Sequence, residues 1–260
     1  MSAQARKRFG QHFLHERATI ERIVAAVAPQ PGDHLVEIGP GEGVLTRPLL
    51  EAVGRLDAVE IDRDLAAALR ARDDWPGTLE LHEADALAFD FAALARDRPL
   101  RLVGNLPYNI STPLLFHLLA QRTSIADMHF MLQREVVDRL ASGPGYKVYG
   151  RLSVMIQAYC VVTPLFRIAP GAFRPPPAVE SAVVRLVPRT PLVPPEHVDV
   201  FAEIVRLAFG ARRKTLRNTL RSRLSAEAVS AAGVDPSARP ESLPVSAFAA
   251  LAAAAYAGRE

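Results

Sequence analysis

The chain has 260 residues, 49% hydrophobic and 23% charged, which is enough for one good-sized core and a smaller second one. It holds no apolar run of about 18 residues, and its start, MSAQARKRFGQHFL, lacks the apolar centre of a secretory signal, so no membrane partner and a cytoplasmic location are expected. The single cysteine, Cys160 in QAYCVV, rules out an intrachain disulfide framework or a cysteine-based metal site and reads as a small core residue. Net charge is +3, and lysine occurs only at 7, 147 and 214, so arginine carries nearly all the basic charge, a bias that suits phosphate recognition.

In chain order, residues 16–28 place Ile20, Ile23, Val24 and Val27 at helical spacing. From His34 to Gln133 short apolar runs alternate with longer amphipathic ones. Strands are predicted at 34–39, 56–61, 78–84, 100–104 and 128–132, and helices near 43–53, 64–72, 89–95 and 112–121. Such alternation predicts an α/β fold, a mostly parallel sheet covered by helices on both faces. The segment REVVDRLA predicts another helix. The loop SGPGYKVYGR and two strand-like runs, around 154–168 and 179–187, follow it. The proline-rich stretch 188–196 then reads as a domain boundary, and 197–260 reads as helices only. Two domains are therefore expected, 1–188 and 189–260, with no internal repeat.

EIGPGEGVL carries glycines at 39, 41 and 43 directly after a strand and before a helix. Without a Cβ, Gly39 and Gly41 let the backbone approach a ligand. Glu60 ends the next strand, about 20 residues on, the spacing at which a carboxylate meets ribose hydroxyls. Asp85, after the third strand, is placed to accept from an adenine amine. Polar groups at the C-terminal ends of successive strands converge on one crevice. The third glycine falls one position early for a dinucleotide motif, and Glu42 adds negative charge that would repel a pyrophosphate. The zwitterionic, sulfonium-bearing end of S-adenosylmethionine meets no such penalty, so a methyl donor is expected in preference to a nicotinamide cofactor.

NLPY, 105–108, follows the fourth strand beside that crevice. The exocyclic amine of a nucleobase is a weak nucleophile because its lone pair is delocalised into the ring. Two acceptors that grip its N–H bonds would turn the lone pair toward a methyl donor. Asn105 offers its side-chain oxygen, and the Leu106 carbonyl offers the second, held extended by Pro107. Tyr108 offers a ring to stack on the base. This is catalysis by orientation and electrostatics. The alternative for the motif alone is an Asn–Pro turn with a core tyrosine. Phe173, in AFRPPPAV, is a second aromatic candidate for the opposite face of the base, with a core phenylalanine as its alternative.

RKRFGQHFL, EIGPGEGVLT, VEID, ADAL, GNLPYNIST, MLQREVVDRL, YGRLSVM, FRPPPAVESAVVRL and RRKTLRN occur in the order found in the KsgA (RsmA) family of ribosomal RNA adenine dimethyltransferases, which the chain resembles over nearly its whole length. The resemblance implies a class I methyltransferase fold (Rossmann-like) with a small helical C-terminal domain for RNA recognition, S-adenosylmethionine as donor, S-adenosylhomocysteine as product, and no metal. It implies dimethylation of two adjacent adenines in a hairpin loop near the 3′ end of 16S rRNA in the 30S particle, late in subunit assembly. By matched position the cofactor contacts would be His12, Leu14, Gly39, Glu60, Asp85 and Asn105. His12 stands where the family pattern has asparagine. A monomer is expected.

Basic residues cluster twice. Arg6, Lys7 and Arg8 precede the glycine motif. In the tail, Arg213, Arg217 and Arg221 fall at i, i+4, i+8, predicting one stripe on one helix face, with Arg212, Lys214 and Arg223 beside it. No Asp or Glu occurs from 204 to 226, so phosphate contact is expected there. Three readings compete with this one: a methylase of large-subunit rRNA, an RNA-binding assembly factor with lost catalysis, and a small-molecule methyltransferase.

Overall fold

The computed structural model describes residues 12–96, 98–211 and 213–258. Arg6, Lys7, Arg8 and Arg212 lie outside the described residues. The chain forms two compact units. The first runs to Val137 and takes in Thr163–Pro188; the second combines Asp138–Val162 with the chain from Arg189 onward. One boundary between the units falls at 188/189, and residues 138–162 group with the second unit.

In the first unit the elements are β1 (Phe13–Leu14), α1 (Arg17–Val27), β2 (His34–Ile38), α2 (Thr46–Val53), β3 (Arg55–Glu60), α3 (Arg63–Arg70), β4 (Thr78–Glu83), α4 (Phe91–Ala95), β5 (Leu100–Asn105), α5 (Ser111–Ala120) and β6 (Ile125–Gln133). The unit boundary falls within α6 (Arg134–Ala141), and α7 (Arg151–Gln157) belongs to the second unit. β7 (Cys160–Ile168), β8 (Phe173–Arg174) and β9 (Ser181–Pro188) return to the sheets. The main sheet has seven strands in the order β4-β3-β2-β5-β6-β9-β7, and β1 pairs with β8 in a small second sheet. β2–β3, β3–β4, β2–β5 and β5–β6 are parallel; β9 runs antiparallel to β6.

Strand order reverses between β2 and β5. Right-handed crossovers place the helices on opposite faces on either side of that point and leave a crevice at the strand C-termini. β2 reads HLVEI and is buried along nearly its whole length, as a strand covered on both faces must be. Leu35, Leu49, Leu50, Leu56 and Val103 form one continuous core with Ile23 and Val27 of α1. Arg101 clamps the opposite end of the sheet from the crevice. Its guanidinium donates to the Val27 carbonyl at 2.6 Å, to Asp127 at 3.0 Å and to Asp33. It thereby ties the end of α1 and β6 to β5 in one partly buried network.

One expected strand is partly a helix. The run 154–168 divides into α7 and β7, because a continuous apolar stretch suits a buried helix as well as a buried strand. Ser153 decides the matter locally. Its hydroxyl accepts from Gly150 N–H at 3.1 Å, closing the first turn of α7, and donates to the Arg139 carbonyl.

The rest of the second unit comprises α8 (Val198–Ala208), α9 (Leu216–Thr219), α10 (Ala226–Ala231) and α11 (Val245–Ala257). Phe201, Ile204, Phe248 and Leu251 are fully buried, and Phe209 stacks on Phe248 with ring centroids 5.6 Å apart. Among the described residues no helix is long and apolar enough to cross a membrane. Cys160 is buried.

The arginine stripe is not formed as expected. α8 ends at Ala208, Arg213 adopts a left-handed backbone (φ 71°), and α9 spans only Leu216–Thr219. The amides of Leu216 and Arg217 donate to the carbonyls of Ala238 and Pro236, so the residues before them cannot continue a helix. Leu216, Leu220 and Leu224 share the basic residues' spacing, and all three are buried, which turns Arg213, Lys214, Arg217 and Arg221 to the surface. Arg223 pairs with Glu203 at 3.0 Å, a carboxylate just outside the acid-free stretch.

Candidate functional site

A cavity opens at the C-terminal ends of the central strands. It gathers His12, Leu14, Gly39, Gly41, Glu60, Asp85 and Asn105, together with Leu106, Pro107 and Tyr108. Every cofactor candidate and four of the five catalytic candidates therefore meet in one space.

The glycine turn leaves β2 toward α2. Gly41 has φ +58°, a backbone that favours glycine, and a Cβ there would crowd the Phe13 ring at 3.3 Å. Its N–H donates to Glu60 Oε2 at 3.2 Å, while Glu60 Oε1 accepts from Asp62 N–H at 2.9 Å. Asp62 in turn caps α3 through the amides of Asp64 and Leu65. Glu60 is thus the brace between the glycine turn and the end of β3. It is 4% exposed, and burial raises its carboxyl above the ordinary range against the opposing pull of those two N–H donors. Asp85 is exposed, and its Oδ1 accepts from Leu87 N–H at 2.9 Å, which holds the carboxylate at the mouth of the loop after β4.

Glu37 is the functional candidate that sequence reasoning missed. It lies in β2, 1% exposed, lines the cavity, and accepts from the Thr46 hydroxyl at 2.6 Å. Burial pushes its carboxyl up to about 7; the Thr46 hydrogen bond opposes the shift and the neighbouring Glu60 adds to it. The signal was present in HLVEI: a carboxylate inside an apolar parallel strand, directly before a glycine turn, must have a reason to be there.

Asn105 ends β5. Its Nδ2 donates to the His12 carbonyl at 2.9 Å. A carbonyl can only accept, so the amide orientation is settled and Oδ1 remains for another donor. His12 is held twice more. Its Nδ1 meets the Pro175 carbonyl at 2.8 Å and must carry the hydrogen there, and its ring packs 5.6 Å from that of Tyr108. The Tyr108 hydroxyl shares a hydrogen bond with Ser181 at 2.7 Å, and burial raises its pKa, which keeps it protonated. Leu106 N–H donates to the Met131 carbonyl at 3.2 Å, docking the motif against β6.

Phe173 departs from expectation. It is 2% exposed, packs in the core with Leu14, Ile168 and Val183, and is not among the cavity-lining residues. Pairing of β8 with β1 sets Phe173 opposite Leu14 and turns its ring inward, so in this arrangement it offers no face to a base.

The cavity's chemistry identifies its ligand class. Glu37, Glu42, Glu60 and Asp85 line it, and no lysine or arginine does among the described residues. Such a wall opposes a pyrophosphate and favours a ligand that carries sulfonium and ammonium cations. Ile61 and Leu87 line the same cavity and supply apolar surface for a heteroaromatic ring. The residues present fit S-adenosylmethionine. Among the described residues no group of His, Cys, Asp and Glu is arranged to hold a metal.

Comparison with known proteins agrees with this chemistry. The chain is 58% identical over 252 residues to the ribosomal RNA small subunit methyltransferase A of Xanthomonas campestris pv. campestris (strain B100), covering 96% of each chain. It is 57% identical over 250 residues to the protein of that name from Nitrosococcus oceani, covering 95% of each. Among solved structures, a dimethyladenosine transferase from Plasmodium falciparum shares the fold, with TM-score 0.78 and 24% identity over 92% of this chain and 96% of that one. The 23S rRNA methyltransferase ErmE matches with TM-score 0.73 and 26% identity over 94% and 99%. The family described as ribosomal RNA adenine dimethylase matches residues 2–255. With the match spanning nearly the whole length, the chain belongs to the ribosomal RNA adenine dimethylase family.

Proposed function

We propose that this chain, an S-adenosylmethionine-dependent rRNA adenine dimethyltransferase, modifies two adjacent adenines in a hairpin loop near the 3′ end of 16S rRNA. It would act on the 30S particle during small-subunit biogenesis, as a cytoplasmic monomer, giving N6,N6-dimethyladenosines. The observation that carries the reading is the pinned amide of Asn105, which leaves Oδ1 beside a cavity lined by carboxylates.

S-adenosylmethionine, when bound, supplies an electrophilic methyl on its sulfonium and leaves as S-adenosylhomocysteine; the sulfonium is activated by its own charge, so no metal is required. Glu60 accepts from ribose hydroxyls with the lone pairs its two backbone donors leave over, and Asp85 accepts from the adenine amine of the donor. Asn105 Oδ1 and the Leu106 carbonyl grip the two N–H bonds of the target amine and direct its lone pair at the methyl; as the C–S bond breaks and the N–C bond forms, the nitrogen becomes acidic and gives up one proton to water. Tyr108 supplies the stacking face, with its hydroxyl held by Ser181. Leu106, where many DNA adenine methylases have a second proline, leaves room for the first methyl, so that a second can follow. A loop base reaches this pocket more cheaply than a paired one, because flipping it out breaks fewer stacking and pairing contacts.

The C-terminal segment 189–260 serves RNA recognition in this reading, with Arg212, Arg213, Lys214, Arg217 and Arg221 contacting phosphate, joined by Arg6, Lys7 and Arg8 near the start of the chain. Arg213, Arg217 and Arg221 changed together to Ala should weaken particle binding and flatten its salt dependence by roughly one unit of log slope per lost phosphate contact. An unchanged slope would remove them from the interface.

Similarity to ErmE favours a second reading, action on the large subunit. The deciding experiment offers unmethylated 30S particles, 50S particles and bare nucleosides to the enzyme with labelled donor. Reverse transcriptase should stop at two adjacent loop adenines of 16S rRNA, since two methyls block the Watson–Crick edge. Monomethyladenine alone, or label confined to the large subunit, would defeat the assignment.

A further inference from the structure

The loop between α6 and α7 takes no part in the cavity. Its sequence, SGPGYKVYGR, sets aromatic and basic side chains among small residues. Within the second unit its backbone is well tied. Gly145 N–H donates to the Glu241 carbonyl at 2.8 Å, and Tyr149 N–H to the Tyr146 carbonyl at 3.0 Å. The Gln157 amide donates to the carbonyls of Leu140 and Ser142 at 2.7 and 2.8 Å. Tyr149 is buried, with its hydroxyl on the Leu243 carbonyl at 2.9 Å. On this fixed frame Tyr146 is 71% exposed and Val148 43%, and Lys147 and Arg151 are exposed beside them. From Arg139 to Val162, the part of the chain that groups with this loop, there is no Asp or Glu, while Arg139, Lys147 and Arg151 supply positive charge.

We propose that this loop is a second RNA contact, in which the Tyr146 ring stacks on an unpaired base of small-subunit rRNA while Lys147 and Arg151 take adjacent phosphates. The proposal deepens the rRNA reading and rests on it. A tyrosine that folding leaves in water has its whole face available, and every base has a π-face to match it. Gly143, Pro144 and Gly145 before it leave the ring unscreened by bulky neighbours. The tied backbone means that little ordering is lost on contact. Lys147 and Arg151, with no acid between them in the chain, complement a polyanion.

The test uses the full chain and unmethylated 30S particles. Tyr146→Ala should weaken particle binding about tenfold with the salt slope unchanged, since stacking releases no counterions. Tyr146→Phe should bind within about twofold of the unaltered protein, because the ring is kept. Lys147→Ala should lower the salt slope by about one unit. All three should melt with the unaltered protein, because their side chains lie outside the core. A photoreactive phenylalanine analogue placed at 146 should crosslink to 16S rRNA. Tyr146→Ala binding as tightly as the unaltered protein, or crosslinks to ribosomal protein only, would overturn the proposal. Failure of the unaltered protein to bind 30S particles would instead overturn the rRNA reading beneath it.

Discussion

Glu60→Ala tests the brace and the proposed ribose contact together, because one carboxylate would serve both. In the folded chain its oxygens accept from Gly41 N–H at 3.2 Å and Asp62 N–H at 2.9 Å. Truncation leaves two backbone donors without an acceptor, and bonds to a charged acceptor contribute about 1.5–3 kcal/mol each. Against this, removal relieves the burial that raises the Glu60 carboxyl. The net loss should be about 2 kcal/mol, which for a chain of this size lowers the melting temperature by roughly 4–8 °C. Donor affinity should fall further than stability accounts for, by at least about tenfold, since two charge-assisted bonds to ribose vanish while the protein stays folded at 25 °C. Glu60→Gln keeps an acceptor for one of the two amides, so it should recover part of the stability and little of the affinity. Thermal melting without ligand and calorimetric titration with S-adenosylmethionine read the two effects separately. Unchanged affinity in a folded Glu60→Ala protein would remove Glu60 from the donor site. An unchanged melting temperature would refute the bracing role.

Asn105→Ala removes the proposed acceptor for the target amine along with the bond to the His12 carbonyl, and should reduce methyl transfer by at least about a hundredfold while particle binding survives; activity within tenfold of the unaltered enzyme would exclude it as the orienting acceptor. Glu37 is held at about 7 when folded against an ordinary value of 4.5. Its contribution to stability is therefore fully present below about 4.5 and is lost as pH rises through about 7. Glu37→Gln keeps an acceptor for Thr46 and should gain on the unaltered protein between pH 5 and 8, by at most about 3 kcal/mol in urea unfolding; parallel pH profiles would contradict this. Arg101→Ala takes one cation from Asp127, which keeps Arg185 at 3.3 Å, and from Asp33, which keeps the Gln30 N–H at 2.8 Å, and should destabilise by about 1–3 kcal/mol, with a fall in melting temperature of roughly 2–12 °C. A loss under 1 kcal/mol would mean the network is only decorative.

Much of the site was legible because its signals are local. A glycine turn after a strand, a carboxylate at the end of the next strand and an Asn-Leu-Pro-Tyr motif after another each follow from short-range chemistry, and parallel-strand topology brings such ends together. Phe173 was not legible. Its neighbourhood in the chain describes a stiff loop, but pairing of β8 with β1 directs the ring into the core. The arginine stripe failed for a related reason: Leu216, Leu220 and Leu224 have the same spacing, and their burial, together with the Ala238 and Pro236 carbonyls, governs the backbone there. α7 was read as strand because an apolar run without alternation fits either element until a partner surface is known.

By itself, then, the sequence determined the alternation of strands and helices, the class of cofactor and the placing of the NLPY motif beside the crevice, since these depend on residue type and spacing within a few turns of chain. Only the tertiary structure decided which end of the Asn105 amide is occupied, that Glu60, expected to meet ribose hydroxyls, also braces the glycine turn, and that Glu37 is a buried acid in the same cavity. Those properties depend on hydrogen-bond partners from His12, Gly41 and Thr46, and on a low-dielectric interior that exists only once distant segments have packed.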